Sequence, residues 1–236
     1  MSRTVPMHRP DALNDRSSAM MTRRNLIGTM ALGLSVFVAA AFAGDNDKKA
    51  TTGAKLGEAA PAWTATDLAG KEWKSTDFAG KIVVLDWVNP QCPVCKGAHA
   101  DKRIPNMITE LKGMENVVFL AINSTHNTDA QANKDALKAY GVEYPVLLDT
   151  AGTIGKAFGA RTTPHIFVID DKGILRYNGA LDDDKTGNNT KDGKPVTNYA
   201  INAVKQIKAG ETVSPDSTQP YGCSVKYAKA ATPAGH

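Results

Sequence analysis

Two cysteines stand three positions apart in the run Val88-Asn89-Pro90-Gln91-Cys92-Pro93-Val94-Cys95-Lys96. That spacing suits thiol chemistry. A thiolate attacks a disulfide sulfur, so a redox site needs one cysteine of lowered pKa and a second within bonding reach. On a helix, two intervening residues put Cys95 nearly one turn beyond Cys92, close enough to close a small disulfide ring. If the helix opens at the pair, its unpaired backbone N–H groups and positive dipole end favour Cys92 as the anion. Pro93 suits the first turn, where its missing N–H is not needed. Two other readings stay open: a pair of buried structural cysteines, or a copper or zinc site formed by Cys92, Cys95 and His99. A four-ligand zinc site would want a second pair at similar spacing, and the chain offers only Cys223 and four further histidines, His8, His126, His165 and His236.

Such a pair must be held by a strand behind it and a helix ahead. Ile82-Val83-Val84-Leu85-Asp86-Trp87 is a continuous run rich in branched residues, the pattern of a central strand buried on both faces. Residues 93–112 carry Ile104, Met107, Ile108 and Leu111 at helical spacing, with Pro105 expected to kink that helix. Val117 to Ile122 predicts a second buried strand, and Asp129 to Tyr140 a helix ending at Gly141. Short strands are expected near Trp63–Leu68 and at Val146–Leu148, and a short helix at Ile154–Phe158. His165–Asp170 and Ile174–Asn178 flank Asp171-Lys172-Gly173 as a hairpin, and Tyr199–Ala209 is the last helix. Strands alternating with helices and closing on a hairpin give an α/β fold, a mixed central sheet flanked by helices on both faces. Residues 182–194 are polar and read as a loop. Its Asp182-Asp183-Asp184 start mimics a calcium loop, but Gly193 stands where the closing Glu belongs, so it reads as a solvated turn.

The chain of 236 residues is 42% hydrophobic and 22% charged, which excludes disordered, collagenous and multi-span membrane classes. Its net charge of +4 misleads, because five arginines precede residue 25. An uncharged stretch follows from Leu26 to Ala43 and ends in Ala41-Phe42-Ala43. A basic start, an apolar middle and a small-x-small exit read as an export signal over residues 1–43, with Arg23-Arg24 loosely matching a twin-arginine pattern. The alternative is an uncleaved anchor, which would be the chain's one link to a membrane. Removing residues 1–43 takes five Arg and two Asp with it and leaves the remainder close to neutral, so no basic patch argues for nucleic acid. Export would put the thiols in an oxidising, periplasmic or otherwise extracytoplasmic setting, where disulfides persist.

The ordered landmarks Gly57-Glu58-Ala59-Ala60-Pro61, Asp77-Phe78-Ala79-Gly80-Lys81, the Cys pair, Tyr144-Pro145, Thr163-Pro164 and Val168-Ile169-Asp170 resemble the thioredoxin-like superfamily. Within it they are similar to the redoxin branch related to alkyl hydroperoxide reductase and thiol-specific antioxidant proteins. Asn89-Pro90-x-Cys92-Pro93 and the tail Gly222-Cys223-Ser224-Val225-Lys226 look like a subgroup of exported peroxiredoxin-like proteins. The resemblance implies a thioredoxin-like domain over residues 57–210, after a linker at 44–56 and before a C-terminal tail at 211–236 that carries Cys223. It matches Pro164 to the family's cis-proline, which with Thr163 would hold an incoming backbone, and Asp86 to the buried carboxylate that helps the second thiol shed its proton. On residue type alone, Asp86 could equally be a strand-end carboxylate in water, and Trp87 either flanks the site or fills the core. Peroxiredoxins carry Thr or Ser three residues before the attacking cysteine and Pro four residues earlier; here those positions hold Asn89 and Leu85. They also use an arginine on the peroxide, for which Arg161 is the nearby candidate.

The resulting expectation is an exported thiol–disulfide oxidoreductase that needs no cofactor or metal and acts on protein or small-molecule thiols and disulfides. Cys92 attacks, Cys95 resolves, and Asp86, Thr163 and Pro164 support them. A thiol-dependent peroxidase acting on peroxides is the first alternative, and the metal-binding module is the second. Cys223 is either a resolving thiol, if the tail folds back over the site, or a passenger. His165 either faces the thiols or points away.

Overall fold

The computed structural model describes residues 53–229, and the segment read as an export signal lies outside them. Among the described residues no helix is long and apolar enough to cross a membrane. The strands are β1 (Thr64–Asp67), β2 (Glu72–Lys74), β3 (Ile82–Trp87), β4 (Val117–Asn123), β5 (Val146–Leu148), β6 (Thr162–Thr163), β7 (Ile166–Ile169), β8 (Leu175–Gly179) and β9 (Cys223–Ser224). The helices are α1 (Pro93–Ala100), α2 (Arg103–Lys112), α3 (Ala130–Tyr140), α4 (Thr153–Phe158), α5 (Asn188–Lys191) and α6 (Tyr199–Lys208).

Seven strands form one mixed sheet in the order β2-β1-β5-β4-β3-β7-β8. β3 and β4 pair in parallel, as do β4 and β5, while β7 runs antiparallel to both β3 and β8. All six residues of β3 are buried, as expected of a strand covered on both faces. Its alternation sorts the two cores. Ile82 and Val84 face the layer of α2 and α6, with Ile104, Met107, Leu111, Ile201 and Val204. Val83, Leu85 and Trp87 face the layer containing Phe78 and α4, with Ile154 and Phe158. The α/β fold read from the sequence is the one observed.

Three expectations are corrected. Residues 93–112 are not one kinked helix: α1 ends at Ala100, Lys102 takes a left-handed φ of 67°, and α2 starts at Arg103. A proline lacks the N–H that would bond four residues back and collides with the carbonyl there, so Pro105 sits in the first turn of a new helix. The stretch 182–194 is not a solvated turn. Asp182 and Asp184 are buried, the carboxylate of Asp184 accepts the Asn189 and Thr190 backbone N–H groups, and α5 follows. The C-terminal stretch, whose composition from residue 210 on offers little to a core, nonetheless contributes to both cores, through Val213 on one face and Val225 on the other. The helix predicted to end at Gly141 does end there: Gly141 adopts φ 65°, and Asp129 caps the other end by accepting the Ala132 N–H.

Candidate active site

The carboxyl end of β3, an interior strand of the sheet, delivers the chain to the cysteine pair, the usual position for a site in an α/β sheet. Asn89 shapes the connection: its side-chain oxygen accepts the Gln91 N–H and its carbonyl accepts the Cys92 N–H, at 2.8 and 3.0 Å. Cys92 is the N-cap residue of α1, with Pro93 as the first helical residue. Cys95 lies on the buried side of that helix, and all three cysteines of the chain are free thiols.

Cys92 is only 2% exposed, yet its surroundings favour the anion. The thiol of Cys95 donating toward it is the largest cause, burial opposes it, and the thiol of Cys223, the hydroxyl of Thr163 and the Cys95 backbone N–H add to it, so that Cys92 is pulled down to about 4. In its protonated form the same sulfur donates to the Thr163 carbonyl at 3.1 Å. Cys95 is pushed well above the ordinary thiol value by its hydrogen bond to Cys92, by complete burial and by the charges of Cys92 and Asp86. One cysteine thus favours the thiolate while the other holds its proton.

Asp86 does not meet water. It is fully buried and neither carboxyl oxygen makes a well-formed hydrogen bond; burial, opposed by the nearby His165 backbone N–H and helped by the charge of Cys92, pushes its pKa well above 3.8. As an even-numbered residue of β3 it points to the same face as Val84, the side on which α1 packs through Ala98. Trp87 belongs to the other core, its ring edge-on to Phe167 at 4.9 Å and its Nε1 donating to Ser124. Thr163 and Pro164 are buried beside Cys92, joined by a cis peptide bond.

His99 is excluded as a third metal ligand with Cys92 and Cys95. Its Nδ1 donates to the Cys95 carbonyl at 2.8 Å and its Nε2 accepts from Tyr144 at 2.9 Å, so both nitrogens are engaged. No group of three metal-ligating side chains forms among the described residues. His165 points away from the thiols: Nδ1 accepts the Arg161 N–H, Nε2 donates to Asn178, and burial holds the ring neutral with a pKa lowered to about 4. Arg161 is exposed and offers Cys92 no guanidinium.

Sequence reasoning left the seat of Cys223 open, and the fold fills it. β9 pairs antiparallel with β6, setting Cys223 opposite Thr163 and Ser224 opposite Thr162. Tyr221, just upstream, is held by a buried cluster in which its hydroxyl donates to Asp182 and Arg103 bonds Asp182, Asp101, the Asp184 carbonyl and Tyr221. Nothing local in the sequence marks that cluster, since Arg103 and Asp182 lie 79 residues apart.

A mixed sheet with a C-x-x-C pair at the carboxyl end of an interior strand, facing a Thr-Pro turn, defines a thioredoxin-like protein. The chain belongs to the Redoxin family, whose family model matches residues 55–194. Among curated relatives, "Thiol-disulfide oxidoreductase ResA" of Bacillus thuringiensis subsp. konkukian is 35% identical over 121 residues, covering 50% of this chain and 66% of that one. The protein of the same name from Bacillus subtilis is 30% identical over 119 residues, covering 50% and 63%. The chain spans less than two thirds of the length of these relatives. Two solved structures share the fold more fully: a hypothetical protein from Sinorhizobium meliloti (TM-score 0.65, 25% identity, 75% of this chain and 96% of that one) and an uncharacterised protein from Geobacillus kaustophilus (0.63, 27%, 75% and 94%).

Proposed function

We propose that the protein is an exported thiol–disulfide oxidoreductase that works through Cys92 and Cys95. The observation that carries this reading is the opposed preparation of the two thiols: Cys92 is drawn to about 4 at the mouth of α1, while Cys95 is held protonated behind it. The Cys92 thiolate attacks one sulfur of a disulfide and forms a mixed disulfide, releasing the other sulfur as a thiolate. Cys95 then attacks Cys92, closing the Cys92–Cys95 bond and freeing the second sulfur. Cys95 must first lose its proton, and Asp86 is the buried base beside it. Once Cys92 is bonded to sulfur its negative charge is gone, which removes one of the two forces that keep Asp86 protonated. Thr163 and Pro164 border the Cys92 sulfur, on the backbone edge where the tail strand β9 lies. The likeness to the Bacillus thiol-disulfide oxidoreductases supports this reading, and the arginine-rich start with its apolar run to Ala43 supports export.

The test is reduction of an insulin disulfide by the purified chain with a dithiol as electron source. Cys92→Ser is expected to abolish it, and retained activity would overturn the reading. Rapid consumption of hydrogen peroxide without disulfide reduction would replace it with a peroxidase. For export, the chain recovered from the extracytoplasmic fraction is expected to begin at Gly44.

A further inference from the structure

Cys92 and Cys95 are each 2% exposed, whereas Cys223 is partly open to solvent. A bulky partner therefore meets Cys223 first. The tail is also built in at this point. β9 occupies the edge of β6 beside Cys92, so the backbone groups of Thr162 and Thr163 that an extended partner would pair with are already paired with Ser224 and Cys223. Val225 N–H donates to the Arg161 carbonyl at 2.9 Å and extends the seam.

Anchors lie on both sides. Upstream is Tyr221 in the Arg103–Asp182 cluster. Downstream, Tyr227 donates its hydroxyl to the Ala160 carbonyl at 2.8 Å. Between them Gly222 has φ +121°, and a Cβ there would overlap the Thr163 carbonyl, so the approach of the tail to the Thr-Pro turn requires glycine. Thr163 joins the two cysteines: it pairs with Cys223 across the β6–β9 ladder, and its carbonyl accepts from the Cys92 sulfur at 3.1 Å, which brings Cys223 to the opening turn of α1.

We infer that Cys223 is the partner-facing thiol of a three-sulfur relay, in which the tail strand acts as a built-in substrate and carries the disulfide between Cys92 and the outside. This inference rests on the disulfide-exchange reading and names the thiol through which it works. In the oxidised chain, the Cys223 thiolate attacks Cys92. The Cys92–Cys223 bond forms, the Cys92–Cys95 bond breaks, and Cys95 leaves as a thiolate that takes a proton from Asp86. No net oxidation occurs in that step. A partner thiolate then attacks Cys223, and Cys92 departs as the stabilised anion, a good leaving group. A second partner thiol frees Cys223, and two electrons have entered the protein. Run in reverse, the relay reduces a partner's disulfide. The charge state is consistent with the order: burial is the largest force holding the proton on Cys223 and the Cys92 anion adds to it, so bonding Cys92 to Cys95 removes the second while burial still opposes, and the Val94 N–H and Lys226 favour, the Cys223 thiolate.

The test is disulfide mapping of the full chain after one equivalent of a dithiol-specific oxidant, acid quenching and alkylation. Trypsin leaves Cys92 and Cys95 on the peptide 82–96 and Cys223 on the peptide 209–226. The wild-type chain is expected to give both the internal bond and the cross-link between these peptides, and Cys95→Ser to give the cross-link alone. No cross-link in either chain overturns the relay. In the second measurement, oxidised Cys223→Ser is reduced by glutathione at least tenfold more slowly than the wild type, and an unchanged rate overturns the role of Cys223 as the point of entry. Cys223→Ala repeats the measurement should the serine variant fold poorly. Neither measurement uses a protein client, so loss of insulin reduction alone would sink the proposed activity and leave the relay standing.

Discussion

Asp86 and Asp182 are equally withdrawn from solvent, at 0% and 1% exposure, and their surroundings are opposite. Asp182 is surrounded by donors: the Arg103 guanidinium, the Tyr221 hydroxyl and the Asp184 N–H. Asp86 has no side-chain donor and no well-formed hydrogen bond, only the His165 backbone N–H nearby, and the charges around it are those of the thiols. Burial raises both carboxyl groups, but at Asp182 the donors pull against it, whereas at Asp86 the Cys92 charge adds to it. A buried carboxylate with full partners is a fastener, here tying the tail to α2. One without partners destabilises the fold and persists where its proton is used.

The largest expected effect tests the fastener. Arg103→Ala leaves Asp182 buried without its cation and is expected to lower unfolding free energy by about 3–5 kcal/mol in urea titrations followed by tryptophan fluorescence. A loss below about 1 kcal/mol would mean the cluster holds nothing.

The matching change at the other carboxylate acts on rate instead. Asp86→Asn is expected to cut the turnover of disulfide reduction by roughly 10²-fold through kcat, with no loss of stability at neutral pH. Its pH dependence has a definite sign. Because the folded chain holds the Asp86 proton more tightly than the unfolded one, wild-type stability falls as pH rises from the ordinary aspartate value of 3.8 through the raised folded value. Asp86→Asn lacks that fall, so the difference between the two chains shifts in the variant's favour as pH increases. Parallel stability curves would place Asp86 in contact with water after all.

Tyr221→Phe removes one donor from Asp182 and keeps the guanidinium, so a smaller cost of about 1.5–3 kcal/mol is expected, with Cys92→Ser activity comparisons unaffected by it. The smallest effect sharpens the thiol side. Thiolate absorbance of the reduced chain is expected to titrate at about 4, and Cys95→Ala to move that inflection upward because the principal donor to Cys92 is gone. Since the Cys92 pKa is depressed in the fold, this site stabilises the protein fully above the free thiol value of 9.0 and loses that contribution as pH falls toward 4.

Much of the scaffold was legible from local pattern. The continuous apolar run Ile82–Trp87 marked a strand buried on both faces, and the position of Pro93 marked the helix start. Pro105 announced a disturbance of the helix but not its form, because whether a proline kinks or restarts a helix depends on where the preceding turn can end. Asp182-Asp183-Asp184 read as solvent-exposed, since composition describes a segment and not the cation that packs on it from 79 residues away. The same limit hid the seat of Cys223.

What the sequence determined alone was the chemistry available and the face on which each strand residue lies, because side-chain type and a period of two or 3.6 residues are local properties. Only the tertiary structure decided that no side chain donates to Asp86, that His99 is engaged on both nitrogens, and that Cys223 pairs with Thr163, the residue whose carbonyl meets the Cys92 sulfur. Those outcomes come from packing between segments far apart in the chain, where contact is chosen by the whole core and not by neighbours in sequence.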